Sequence, residues 1–160
     1  MTVIADTSPL NYLILIDAQD LLPSLYASIR IAPAGASELA APGAPEKVRQ
    51  WIIEDRPDWL VVTAPRDSAD PRLAHLHRSE REAISLAMEL SADLVLIDDR
   101  DGRAAAQVCG LTVAGTLRVL ADAAAVGLID LAEAFARLRS TTFRADPRLM
   151  DRLLRGSARD

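Results

Sequence analysis

At 160 residues the chain has the length of one domain, and half of its residues are apolar, enough to bury a core without disulfides or a structural metal. Charged residues interrupt every apolar run well before the roughly 18 residues that a membrane-spanning helix requires, and the lone Cys109 excludes an internal disulfide and a cysteine-based zinc knuckle. A net charge of -5 argues against simple adhesion to nucleic acid through bulk positive charge, because non-specific affinity comes mostly from basic side chains neutralising phosphates.

The opening MTVIADTSPL carries no basic segment ahead of its apolar residues, so no signal peptide is expected and a cytoplasmic location follows. Thr2-Val3-Ile4-Ala5 is a short strand-like run, and Asp6-Thr7-Ser8-Pro9 stops a strand and can start a helix. Leu10 to Ile16 and Leu21 to Tyr26 have helical character, and Ile29 to Ala32 is a second strand. Pro33 then introduces the segment that carries Glu38 and Leu39. The Ala/Pro/Gly cluster from Ala40 to Pro45 is a loop, and Pro45 to Glu54 has helical spacing through Val48, Trp51 and Ile52. Leu60 to Thr63 is β-branched enough for a third strand.

A helix is expected from Ser79 to Leu90, a strand at Leu94 to Ile97, a helix from Gly102 to Cys109 and a last strand at Leu111 to Ala114, with further helices in the tail. Strands alternating with helices imply an α/β fold, a three-layer α/β/α sandwich around a mainly parallel sheet, since each crossover lays a helix over one face. The tail is rich in arginine: Arg137, Arg139, Arg144, Arg148, Arg152, Arg155 and Arg159 crowd it, while Lys47 is the only lysine. Taken one at a time these arginines read as a solvated helical face; taken together they suggest a basic rim beside an acidic site.

The acids fall where strands end. In open parallel sheets ligands bind outside the carboxyl ends of strands, and Asp6 follows the first strand as Asp98 and Asp99 follow the one ending at Ile97. If those strands are neighbours the carboxylates converge, and like charges about 4 Å apart repel by roughly 4 kcal/mol at an effective dielectric near 20. Magnesium suits such a site, because it prefers hard oxygen ligands, takes one or two carboxylates directly and keeps waters that can be activated. Of the glutamates near Ser79, Glu82 completes a Ser-x-x-Glu capping box with Ser79, whereas Glu80 lies at helical spacing with Ala83, Ile84 and Ala87 and points to the strand ends. Glu80 alone could equally be serving the helix dipole at an exposed N-terminus. His75 and His77 have the spacing of a metal pair on a strand, but no third nitrogen or sulfur ligand is near, and they read as surface loop residues. No phosphate-loop or dinucleotide glycine motif is present, so no nucleotide cofactor is expected.

The runs VIADTSPLNYLILI, IAPAGASELA, SEREAISLA and ADLVLIDDRDGRAAAQVCGLTVAGTL together resemble the PIN-domain superfamily, in the branch of PIN-like predicted nucleic-acid-binding proteins close to VapC-type toxins. The resemblance extends from the start of the chain to the Leu117 region. It implies one PIN-like domain over residues 1–160 with a helical C-terminal extension from about residue 130. It also implies a Mg2+ or Mn2+ site and metal-dependent cleavage of RNA phosphodiesters. Carried over position by position, the family's acids match Asp6, with Thr7 as the following hydroxyl, then Glu38 and Glu80. Asp98 and Asp99 compete for the fourth place; the spacing to Ile97 favours Asp99, with Asp98 next and Asp101 as an outer participant. Ser79, His77 and Arg118 stand where relatives commonly have other residues, and none of these departures removes an acid.

The resulting expectation is an endoribonuclease in which one or two ions held by Asp6, Glu80 and Asp99, with Asp98 and Glu38 completing or orienting the site, activate water. By analogy with toxin–antitoxin pairs, the partners implied are RNA, a small antitoxin protein and a second copy of the chain. The main alternative is a non-catalytic PIN-like module that binds nucleic acid or protein. A receiver domain or a haloacid-type phosphatase ranks lower, because the latter needs Asp-x-Asp where this chain has Asp6-Thr7-Ser8 and the former a second acid and a lysine that are missing.

Overall fold

Short β-branched runs bounded by helix-starting residues make a chain of crossovers. The computed structural model describes residues 1–158; Arg159, counted above in the basic tail, lies outside the described residues. In order, the first half holds β1 (Val3–Ala5), α1 (Thr7–Leu15), α2 (Leu21–Tyr26), β2 (Ile29–Ile31), α3 (Pro33–Ala40), α4 (Glu46–Glu54) and β3 (Leu60–Val62). After a 3-10 turn at Pro71–Leu73 come α5 (Arg78–Glu89), β4 (Leu94–Leu96), α6 (Arg100–Val108), β5 (Val113–Ala114), α7 (Thr116–Ala125), α8 (Leu131–Arg139) and α9 (Pro147–Ala158).

All strand pairings are parallel and the order across the sheet is β3-β2-β1-β4-β5. Side chains alternate across it, as the period of a strand requires. Val3 and Ala5 of β1, with Leu96 of β4, join one core with Leu10, Leu13, Leu120 and Phe135; Ile4, Val95 and Ile97 join the other with Ile84, Leu86 and Ala106. The two cores make the three layers: α5 and α6 cover one face, and α1, α7 and α8 cover the other.

Four helix starts differ by one to three residues from the sequence expectation, and two of these, α1 and α5, change what the side chains there do. Helix α1 begins at Thr7 rather than Leu10 and carries Pro9 in its first turn, where the missing N–H would have had no intrahelical acceptor. Helix α5 begins at Arg78 with His77 as its N-cap, so the box expected between Ser79 and Glu82 does not form. Instead Glu80 Oε2 accepts from the His77 N–H at 3.3 Å. Glu82 is buried between helices, where it accepts from the Ala34 N–H of α3 at 3.2 Å and from Arg78 Nε at 2.9 Å. Sequence spacing put Glu82 to work on its own helix; packing puts it on the unsatisfied amino end of another.

That link between α5 and α3 has a measurable worth. Leaving the half-buried Ala34 N–H without an acceptor costs about 1 kcal/mol, at the low end of the range for a fully buried group. Glu82→Ala is therefore expected to lower the unfolding free energy measured by urea titration by that amount, whereas Glu82→Gln, which keeps an acceptor oxygen, is expected to lose less than half of it.

Candidate active site

Strand order reverses at β1: the chain builds outward through β2 and β3, then crosses back to place β4 on the other side of β1. Ligand crevices in parallel sheets open at such a reversal. Here Ala5 pairs with Leu96, and the Asp6 N–H donates to the Leu96 carbonyl at 2.8 Å, which brings the residues after β1 alongside those after β4. The crevice is a cleft of about 720 Å3. Asp6, Thr7, Glu38, Glu80, Asp98 and Asp99 all line it. Of the residues singled out in the sequence, Glu82 and Asp101 do not: Glu82 is engaged with α3, and Asp101 is exposed in the first turn of α6. His77 lines the cleft, whereas His75 is exposed outside it.

Each acid is delivered by a different element. Asp6 occupies the N-cap position of α1, yet its side chain makes no cap hydrogen bond; Oδ1 is buried with no partner, as is Thr7 Oγ1. Glu80 comes from the first turn of α5 and Glu38, exposed, from the last turn of α3. Asp98 accepts three hydrogen bonds, from Thr116 N at 2.7 Å to Oδ1, and from Thr116 Oγ1 at 2.7 Å and Ser8 Oγ at 2.9 Å to Oδ2. Asp99 caps α6, Oδ2 accepting from the Gly102 N–H at 2.9 Å. The amino ends of α1, α5, α6 and α7 thus meet at the acids, and their partial positive charge offsets some of the repulsion.

Repulsion and burial still dominate at Asp6, whose carboxyl is pushed up from 3.8 to about 7. Burial is the largest cause, followed by the nearby Thr7 amide, which opposes it, and then by Glu80, Glu38 and Asp98, which add to it. Glu80 is also raised, first by burial and then by Asp99.

Among the described residues no three His, Cys, Asp or Glu side chains are gathered tightly enough to hold an ion as they stand. The donor set nonetheless suits a hard divalent cation. It consists of carboxylate and hydroxyl oxygens, and two of those oxygens, Asp6 Oδ1 and Thr7 Oγ1, are buried side by side in sequence with nothing bonded to them.

Several lining residues carry no mark in the sequence. Ser8, Asn11 and Tyr12 follow Asp6 along α1, and the pairs Thr7–Asn11 and Ser8–Tyr12 stand one helical turn apart, which is the one signal that could have found them. Thr116, buried behind the lining, answers to no local pattern either. Thr142, Phe143 and Arg144, between α8 and α9, form the remaining wall, held to α1 by an edge-on contact of Tyr12 with Phe143 at 5.0 Å and a Tyr12–Thr142 hydroxyl bond at 3.0 Å.

Residues 2–159 match the model of a PIN-domain family, and the chain belongs to that family. PIN domains are a nuclease-type superfamily whose members generally use divalent metals. No curated protein matches the sequence. Among solved structures, the chain is similar to a PilT N-terminus domain protein from the hyperthermophilic archaeon Sulfolobus solfataricus P2. The TM-score is 0.52 at 19% identity, over 91% of this chain and 100% of that one, a likeness of fold. The expected three-layer sandwich and the PIN resemblance both hold. Among the described residues no helix is long and apolar enough to cross a membrane.

The state of Asp6 sets a pH dependence. Its folded value lies above its ordinary one, so its contribution to stability is fully present below pH 3.8 and is lost as pH rises through about 7, a change worth about 4 kcal/mol. In EDTA the thermal midpoint is expected to fall between pH 5 and pH 8. Asp6→Asn should flatten that slope and melt higher than the wild type at pH 8; an equal slope in both proteins would show that Asp6 is not strained.

Proposed function

We propose that this chain is a metal-dependent endoribonuclease that hydrolyses RNA phosphodiesters in the cleft at the ends of β1 and β4. The observation that carries the reading is the carboxylate of Asp6, buried at the strand reversal with Oδ1 unbonded and three further acids raising its proton affinity. A carboxylate in that position lacks only a counter-charge, and the remaining donors are hard oxygens.

Asp6 and Glu80 would hold Mg2+ or Mn2+, with Asp99 and Glu38 completing the set. When bound, such an ion neutralises the developing charge on the phosphoryl oxygens and makes water a better nucleophile. Asp98, already accepting three hydrogen bonds, holds Ser8 in the cleft lining and the buried Thr116 behind it. The Thr7 hydroxyl, which has no partner, is the one available to donate to a phosphate oxygen, and Arg100 and Arg144 at the rim are placed to pair with phosphate. In the reaction the water oxygen would bond to phosphorus and the P–O bond to the ribose oxygen would break, the water's proton passing to a carboxylate of the cleft and the leaving oxygen taking up a proton from solvent.

On this reading the biological setting is that of a toxin restrained by a small antitoxin protein, acting as a homodimer in the cytoplasm. Support for that part is the family resemblance alone, and growth arrest on expression, relieved in Asp6→Asn, would test it.

The central test is cleavage of a doubly labelled single-stranded RNA in Mg2+ against EDTA. Asp6→Asn and Glu80→Gln are each expected to cut the rate by at least about 100-fold while circular dichroism stays native. Undiminished, Mg2+-dependent cleavage by Asp6→Asn would overturn the assignment.

A further inference from the structure

Beside the acid cleft lies a second cavity of about 660 Å3, walled by α6, the start of α7 and the α8–α9 connection. It carries four arginines, Arg100, Arg103, Arg118 and Arg144, against two acids, Asp98 and Asp146. Both cavities share Asp98, Arg100, Phe143 and Arg144, so the two spaces meet along one edge. One is acidic and the other basic.

The arginines are available for a ligand. Arg100 and Arg144 are exposed and make no ion pair among the described residues. Arg118 pairs with Asp122 at 3.0 Å, but both side chains are largely exposed, and such i, i+4 pairs contribute only a few tenths of a kcal/mol. Arg103 is anchored by one Nη1 bond to the Ile97 carbonyl at 3.3 Å, which leaves most of its guanidinium donors free. The edge the cavities share is built for close approach: a Cβ on Gly115 would lie 2.8 Å from Arg103 Nη1 and 2.8 Å from Asp98 Oδ1, so only a glycine there leaves room for the guanidinium and the carboxylate on the same side of that backbone segment.

The geometry points to this arginine-lined cavity as the groove that holds the backbone of a single-stranded RNA, with Arg103, Arg118 and Arg144 on successive phosphates and Phe143 at the threshold of the acid cleft. The groove rests on the nuclease reading, which it deepens by naming the path of the substrate. Guanidinium forks suit phosphate oxygens, and an aromatic face accepts an unstacked base without regard to sequence. The basic residues singled out in the tail contribute only Arg144 here; Arg100, Arg103 and Arg118 come from α6 and α7, so the groove is assembled by the fold and not by one helical face.

The probe is a 5′-fluorescein single-stranded RNA of mixed sequence, titrated by fluorescence anisotropy in EDTA against the full chain at several salt concentrations. Arg118→Ala with Arg144→Ala is expected to weaken binding about tenfold and to reduce the steepness of its salt dependence by about 0.7 per arginine removed. Arg103→Ala serves as a third variant, its folding checked by thermal melting because of the Ile97 bond. Arg56→Ala, outside both cavities, should bind as wild type does. Mg2+-dependent cleavage by the wild type with unchanged affinity and salt slope in the double variant would overturn the groove and leave the nuclease reading standing. Absence of any RNA binding and cleavage by the wild type would overturn both. Binding of polyglutamate in place of RNA, lost in the double variant, would assign the groove to an acidic protein partner and overturn the nucleic-acid path.

Discussion

The arrangement depends on one buried charge. Asp6 sits where the first strand ends and the order of the sheet reverses, and it is held there by a backbone bond from its own amide to Leu96. An aspartate at an N-cap position ordinarily spends its carboxylate on the helix amides behind it. Here no cap bond forms and Oδ1 has no partner, so local helix stability is given up for a carboxylate that faces the cleft. The acids around it are then fixed by elements that have other reasons to be in place: α5 through the core residues Ile84 and Leu86, and α6 by its own cap at Asp99.

The neighbouring pair Asp98–Asp99 shows how two identical residues divide their work. Asp98 turns inward to Thr116 and Ser8 and ties the start of α7 to the start of α1 across the end of the sheet. Asp99 turns to Gly102 and begins α6. One fastens two helices of the same layer together; the other starts the helix that follows it. Both leave part of their carboxylates toward the same space.

Much of this was legible in the chain itself, and what was not has identifiable physical causes. The strands announce themselves because Val3-Ile4-Ala5 and Leu94 to Leu96 are apolar runs and Ile29 and Ile31 flank Arg30 as a β-branched alternation, and parallel pairing of buried strands follows from the order of strands and helices. Asp6, Glu80, Asp98 and Asp99 were found because strand ends and helix faces are periodic features. The start of α5 was misread because Ser79 with Glu82 and His77 with Glu80 both satisfy the same spacing; the tie from Glu82 to Ala34, a tertiary contact between α5 and α3, accompanies the register taken. Of the wall made by Thr142, Phe143 and Arg144, only Arg144 was signalled, by the arginine crowding of the tail; Thr142 and Phe143 had no local signal, since a loop more than a hundred residues from Asp6 meets it only through the packing of α8 and α9.

Gly115 stands where any side chain would have to displace the Arg103 guanidinium or the Asp98 carboxylate, both 2.8 Å from the place its Cβ would take. A positive and a negative group are thereby brought closer together than the ionic atmosphere of physiological saline, about 8 Å, so salt does not screen one from the other and their fields partly cancel at that edge.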